Sequence, residues 1–254
     1  MVPRRPWRPA LRTLIERRPE GRAWHTATPE PGDHLPFRPS AADLEAARKK
    51  TVEDVLRPGL DILFVGINPG LYTAAIGHHF GRPGNRFWPA LSASGLLRAP
   101  LTAWESERLL ESNIGITNVV RRATASADEL AKGELVRGAR VLTAKILRAK
   151  PRIAAFLGLG LYRDAFDRPR AGLGPQEERI GRTSLWVFPN PSGLNAHFQV
   201  RDYVRMFRRM GTALRGRART SGSGEKGQRL PARAAGARSR ARCARPPTSR
   251  ARSP

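Results

Sequence analysis

The sequence predicts an α/β protein in which a mostly parallel sheet is wrapped by helices. Three observations carry this. Apolar runs of strand length recur at Leu60–Ile67, Ile114–Val120, Arg152–Leu157 and Ser184–Phe188. Segments with helical periodicity separate them, as parallel strands joined by crossover helices require. The runs are continuously apolar rather than alternating, which is the mark of strands covered on both faces.

The elements follow in chain order. Residues 1–50 mix Pro, Arg and other charged residues with little periodicity and are expected to form a flexible extension, with a short helix around Ala41–Lys50. Leu60–Ile67 is the first strand. Asn85–Leu97 reads as a helix whose Phe87, Leu91 and Ser94 share a face, and Trp104–Ser112 as a shorter one. Ile114–Val120 is a short β-like run. Asp128–Lys150 reads as a long amphipathic helix, with Leu130, Ala139, Leu142 and Ile146 on one side, Ser126 as N-cap and Pro151 as stop. Arg152–Leu157 and Ser184–Phe188 are further strands, and Gln199–Leu214 closes as a basic amphipathic helix. The Arg/Ala/Ser/Gly/Pro-rich tail, 215–254, almost lacks large apolar side chains and is expected to be disordered. The folded domain is therefore expected over 51–214.

Charge narrows the class of partner. The chain of 254 residues carries a formal net charge of +25, with 46 Lys+Arg against 21 Asp+Glu. The tail holds 12 basic residues and one acid, yet 51–214 still holds 23 basic and 14 acidic residues. A basic core fits a polyanion such as nucleic acid or an anionic surface. No apolar run approaches the ~18 residues of a membrane span. The single cysteine, Cys243, excludes an intrachain disulfide framework and a four-cysteine metal or iron–sulfur site. The N-terminus has no apolar h-region of a secretory signal. An intracellular setting is expected: cytoplasmic in a bacterium, nuclear in a eukaryote.

Two strands end alike. Ile62-Leu63-Phe64-Val65 runs into Gly66-Ile67-Asn68-Pro69-Gly70, and "SLWVF" runs into Pro189-Asn190-Pro191-Ser192-Gly193. Asn-Pro and Pro-Gly are ordinary turn chemistry. Two such exits in one parallel sheet, however, lie on the carboxyl edge where ligands of open α/β sheets bind. Between them, "GHHFGRPGN" (Gly77–Asn85) is a polar, glycine-rich loop with one aromatic residue, able to bring backbone N–H groups close to a ligand and to lay Phe80 on a flat ring. His78 and His79 lack a carboxylate or cysteine at ligand spacing, so no metal is expected. There is neither a GxxxxGK[ST] nor a GxGxxG phosphate loop.

"GINPGLYTAAIGHHFGRPGNRFWPAL" together with "FPNPSGL" resembles the mismatch-specific uracil/thymine DNA glycosylases, a branch of the uracil-DNA glycosylase superfamily. The resemblance runs from about Thr51 to about Leu214, with "GITNVVRRAT" and "PRIAAFLG" between the two motifs in the expected order. It implies a three-layer α/β sandwich and a monofunctional enzyme. Such an enzyme flips uracil, thymine or damaged pyrimidines out of mismatched double-stranded DNA and hydrolyses the glycosidic bond, working as a monomer without cofactor or metal. The alternative is a non-catalytic nucleic-acid-binding module on the same fold.

The resemblance also assigns roles. Asn68 positions the attacking water; a carboxamide oxygen accepts a hydrogen bond from water but is no strong base, so the reaction must lean on departure of a base anion met by N–H donors. Gly66, Ile67 and Tyr72 are expected to line the base pocket and Phe80 to stack on the base. Ser192, Gly193 and Leu194 are expected to enter the duplex, with Leu194 as the apolar wedge. Bacterial relatives carry an Arg two positions after that Leu, against the base opposite; here Ala196 stands there, so strict reading of an opposite guanine is not implied unless His197 or Arg201 takes over. No lysine occupies a motif position, so no Schiff-base lyase step is expected.

Overall fold

The computed structural model of the protein describes residues 38–221. Five strands form one sheet: β1 (Ile62–Gly66), β2 (Ile114–Asn118), β3 (Ile153–Leu157), β4 (Gly174–Ile180) and β5 (Thr183–Phe188), in the order β2-β1-β3-β5-β4. The pairs β1·β2, β1·β3 and β3·β5 are parallel, and β4 pairs antiparallel with β5 at the edge. Period-two alternation sorts the strand residues onto two faces. Ile62, Phe64, Ile116, Ala155, Trp186 and Phe188 meet α3 (Phe87–Ala93), the 3₁₀ segment Ala103–Ser112 and α6 (Val200–Ser221). Leu63, Val65, Phe156, Leu185 and Val187 meet α4 (Lys132–Ala149) and α5 (Leu159–Phe166). This is the expected three-layer α/β sandwich, and the apolar runs are continuous because both faces of β1, β2, β3 and β5 are buried.

Three elements escape the sequence reading. Helix α2 (Leu71–Ile76) and α5 are each about two turns, too short for a helical period to show. Strand β4, "GPQEERI", alternates half-buried and exposed residues, and its polar composition with Pro175 suits an edge strand.

Several boundaries are corrected. Ser126 caps only a single 3₁₀ turn, Ala127–Glu129; Leu130 is extended, and α4 begins after Ala131, where the Glu134 carboxylate accepts the Ala131 N–H at 3.3 Å. Leu130 still buries its side chain in the same cluster as Ala139, Leu142 and Ile146, but from extended backbone. Residues 38–50 hold the short helix expected around Ala41–Lys50, but instead of belonging to a flexible extension they are folded onto the domain. Ser40 and Asp43 form a capping box on α1 (Ala41–Ala46), and Ala47 is fully buried with Val52, Ala74 and Ala123. Helix α6 runs on through Ser221, past the boundary expected at Leu214. The remaining parts of the two expected extensions, 1–37 and 222–254, lie outside the described residues.

One close approach fixes how α4 lies on the sheet. A Cβ built on Gly138 would come within 2.5 Å of the Val119 carbonyl oxygen, just past the end of β2. An interior helical Gly→Ala change ordinarily gains about 1 kcal/mol; here backbone stands in the way. We predict that Gly138→Ala lowers the thermal unfolding midpoint by about 3 °C or more. Gly160→Ala on α5, with nothing within 4 Å of its Cβ, should not lower it.

Candidate active site

The chain that leaves β1 stays tied to the chain that leaves β2. Val119 N–H donates to the Gly66 carbonyl (3.0 Å) and Val120 N–H to that of Ile67 (2.9 Å). Farther out, Thr124 N–H donates to Pro69 (3.2 Å) and Leu71 N–H to Thr124 (3.1 Å). Asn68 sits inside this ladder, half-buried. Its Nδ2 donates to Thr124 Oγ1 (2.7 Å), the Arg122 carbonyl (3.0 Å) and the Pro69 carbonyl (3.2 Å). Carbonyl oxygens can only accept, so they dictate which end of the carboxamide faces them. Among the described residues none donates to Oδ1.

The 121–131 loop is itself braced. Arg122 makes a two-pronged contact with Glu134 (2.8 and 2.9 Å) and donates to the Glu129 carbonyl (3.0 Å). Arg122 holds the Glu134 carboxyl down to about 2. Glu129 accepts from the Ala125 and Ser126 N–H groups (2.9 and 3.0 Å) and from Arg48 (3.2 Å).

A cleft of about 460 Å³ opens at this edge, within the range of small-molecule sites. Both Asn-Pro turns line it, through Ile67, Asn68 and Pro69 on one side and Asn190, Ser192 and Leu194 on the other. Phe80 lines it as well, held at φ 54° with its ring 4.4 Å from that of Phe87. Gly66 lies behind the lining: a Cβ there would overlap Asn118 Oδ1 and approach Phe80 Cζ to 3.2 Å. Its role is to let those two side chains close over the end of β1. Tyr72 departs from expectation. It is half-buried on α2 and does not line the cleft; Thr73, one position on and buried, does. Gly193 is exposed beside the cleft, and Leu194 projects from its rim with 79% of its surface exposed.

Of the lining residues not named as site residues from the sequence, His79 and Asn118 carry the most chemistry. Both are buried. His79 Nε2–H donates to the Glu53 carbonyl (2.9 Å), which leaves Nδ1 to accept from Asn118 Nδ2 (3.4 Å). Burial pushes the His79 pKa below its ordinary 6.5, in keeping with a neutral ring. The Glu53–Asp54 segment is pinned to α4 by Lys145, whose Nζ donates to Asp54 Oδ2 (2.6 Å), and to β2 by Thr117, whose Oγ1 donates to Asp54 Oδ1 (2.7 Å). Asn118 Oδ1 takes no hydrogen bond from the described residues and is not sealed from solvent. A legible signal existed: Asn118 is a polar residue set inside the run Ile114–Val120, and it closes β2 as Asn68 and Asn190 follow their strands.

Among the described residues no three His, Cys, Asp or Glu side chains are grouped to hold a metal ion. No helix among them is long and apolar enough to cross a membrane.

The family model described as "Uracil DNA glycosylase superfamily" matches residues 53–211. A solution NMR structure of a candidate uracil DNA glycosylase from Methanosarcina acetivorans is similar at 19% identity and a TM-score of 0.42, covering 64% of this chain and 98% of that one.

The lowered pKa of His79 gives a prediction with a definite sign. The folded protein excludes a proton that the unfolded chain accepts, so this contribution to stability is complete above pH ~6.5 and is lost as pH falls below it. The lowered carboxyl of Glu134 acts only in a more acidic window, below about 4.3. We predict that the urea midpoint falls between pH 7 and pH 5, and falls less in His79→Gln, whose amide has no proton to gain.

Proposed function

Because the chain belongs to the uracil DNA glycosylase superfamily, we propose that it is a monofunctional DNA glycosylase. It hydrolytically excises uracil, and thymine or damaged pyrimidines in the same setting, from mispairs in double-stranded DNA. The observation that carries this is the locked pair of carboxamides in one cleft beside an aromatic ring. Asn68 has its N–H₂ saturated by carbonyl and hydroxyl oxygens, and its free Oδ1 suits it to hold a water by accepting a hydrogen bond. Asn118 gives one N–H to His79 and keeps the other, with Oδ1, for a ligand.

The pyrimidine selectivity follows from this lock. Uracil and thymine present an N–H donor at N3 beside a carbonyl acceptor at O4, and a carboxamide complements that pair. Cytosine presents the reverse pattern and would need the Asn118 amide turned over. Turning it would set Oδ1 against His79 Nδ1, which has no proton because Nε2–H is engaged by the Glu53 carbonyl. Phe80 stacks on the flipped ring, an interaction of about 1–3 kcal/mol. The C1′–N1 bond breaks with its electron pair retained by the base. Water held at Asn68 then adds its oxygen to C1′ and releases a proton to solvent, leaving an abasic sugar and the free base. Leu194 fills the vacated stack, offsetting an unstacking cost of a few kcal/mol.

The test is single-turnover excision from a labelled duplex with one U opposite G, read by alkaline cleavage of the abasic product. Asn68→Ala should slow excision by at least about 100-fold, the lower end of what a positioned catalytic group contributes, while duplex binding changes little. A variant that cuts at the wild-type rate would remove Asn68 from the chemistry. Duplex binding without any excision by the wild type would favour a non-catalytic binding module. Leu194→Ala should weaken excision from duplex more than from single-stranded substrate, since only a duplex leaves a gap to fill; equal losses would make Leu194 an ordinary loop residue.

A further inference from the structure

The loop that carries Phe80 and the turn that carries Leu194 are separated by more than 100 residues, yet they share a seam made largely by Arg86. Its backbone N–H donates to the Pro191 carbonyl (2.9 Å), and its Nη1 donates to the next carbonyl, Ser192 (2.6 Å). A guanidinium donating to a carbonyl at this distance is a strong, charge-assisted bond. No carboxylate among the described residues lies within ion-pair distance of Arg86, so this contact, rather than a salt bridge, sets where its half-buried side chain lies. Beside it the two backbones touch: a Cβ on Gly193 would come within 2.9 Å of the Gly84 carbonyl oxygen. Behind Arg86, Asn85 N–H donates to Arg82 (3.0 Å), and both of those residues line the cleft with Phe80. On its other flank the turn is held by Tyr203, whose hydroxyl donates to the Asn190 carbonyl (2.7 Å), and by Asn195 Nδ2 on the same oxygen (3.0 Å).

We infer that Arg86 is a positioning residue that couples Leu194 to the base cleft. The inference rests on the excision reading above. An exposed leucine can fill a gap in a base stack only if its backbone resists being pushed back, and the turn's internal bonds, Ser192 N–H to Asn190 Oδ1 (3.1 Å) and Asn195 N–H to the Ser192 carbonyl (3.0 Å), shape it without tying it to the loop that carries Phe80. Arg86 supplies the resistance by bonding two consecutive carbonyls of the turn, and it does so from the base-stacking loop. Wedge and stacking platform therefore keep a set separation. Arg86 acts through Leu194, not on the reacting atoms.

A double-mutant cycle tests this, because residues that act as one unit lose function non-additively. Wild type, Arg86→Met, Leu194→Ala and the double variant are compared for single-turnover excision from the U·G duplex. Arg86→Met keeps the aliphatic stem and the backbone bond to Pro191. We expect it to slow excision about tenfold, and the double variant to be no slower than Leu194→Ala within about twofold. Losses that multiply in the double variant, or no loss in Arg86→Met, overturn the coupling. A multiplied loss would mark Arg86 as an independent contact, for instance to a phosphate. Thermal unfolding of each variant checks the fold, with Arg86→Gln replacing Arg86→Met in the cycle if the latter does not fold. A wild type that leaves U·G intact overturns the excision reading itself, and the coupling with it; an active wild type with multiplied losses overturns the coupling alone.

Discussion

The parallel pairing of β1 with β2, and its continuation past the ends of both strands, is the constraint on which the rest of the site depends. Within the sheet the register sets Gly66 opposite Asn118. Beyond it, the bonds from Val119, Val120 and Thr124 carry the pairing out to Pro69. Backbone groups here have neither helix nor sheet to satisfy them, and each one left unpaired in a buried setting would cost free energy. The ladder answers that need, and in doing so it brings the Arg122 carbonyl and the Thr124 hydroxyl to the Asn68 amide. The bracing of the 121–131 loop by Glu134 and Glu129 secures the outer rail of the same ladder.

The second half of the cleft depends on the chain returning to the same edge. Strand β4 runs antiparallel and hands the chain to β5, which lies parallel to β3 and so finishes on the same sheet edge as β1, with β3 between them. Only then can Asn190 and Leu194 reach the cleft that Asn68 begins. The antiparallel edge strand contributes no residue to the cleft, yet it sets the direction in which the last strand leaves.

Much of this was legible in the sequence, and the limits are physical. The buried strands were readable because both faces are covered, which writes a continuous apolar run. The two Asn-Pro exits were readable because turn chemistry is local. The pairing of His79 with Asn118 was not, since it joins a loop to a strand 39 residues away and depends on the Glu53 carbonyl, which any residue could supply. Tyr72 was misjudged for a related reason: one position along a short helix turns a side chain by about 100°, and without α2 in view nothing distinguished Tyr72 from Thr73. Leu130 shows the reverse, since its burial was read correctly from a helix that does not include it.

The way Asn68 is held also closes a chemical route. Replacing its amide by a carboxylate is the smallest change that would install a general base at the end of β1. In this protein the second carboxylate oxygen would fall where Nδ2 now meets the Arg122 and Pro69 carbonyls, which have no hydrogen to offer, and the Thr124 hydroxyl, the one partner there that could donate. Two carbonyl acceptors facing one hydroxyl would push such an acid toward its protonated form, with the proton on the inward oxygen. The backbone thus makes the residue's neutrality a property of the fold, and a shift to stronger base chemistry would first require the 121–124 segment to be rebuilt.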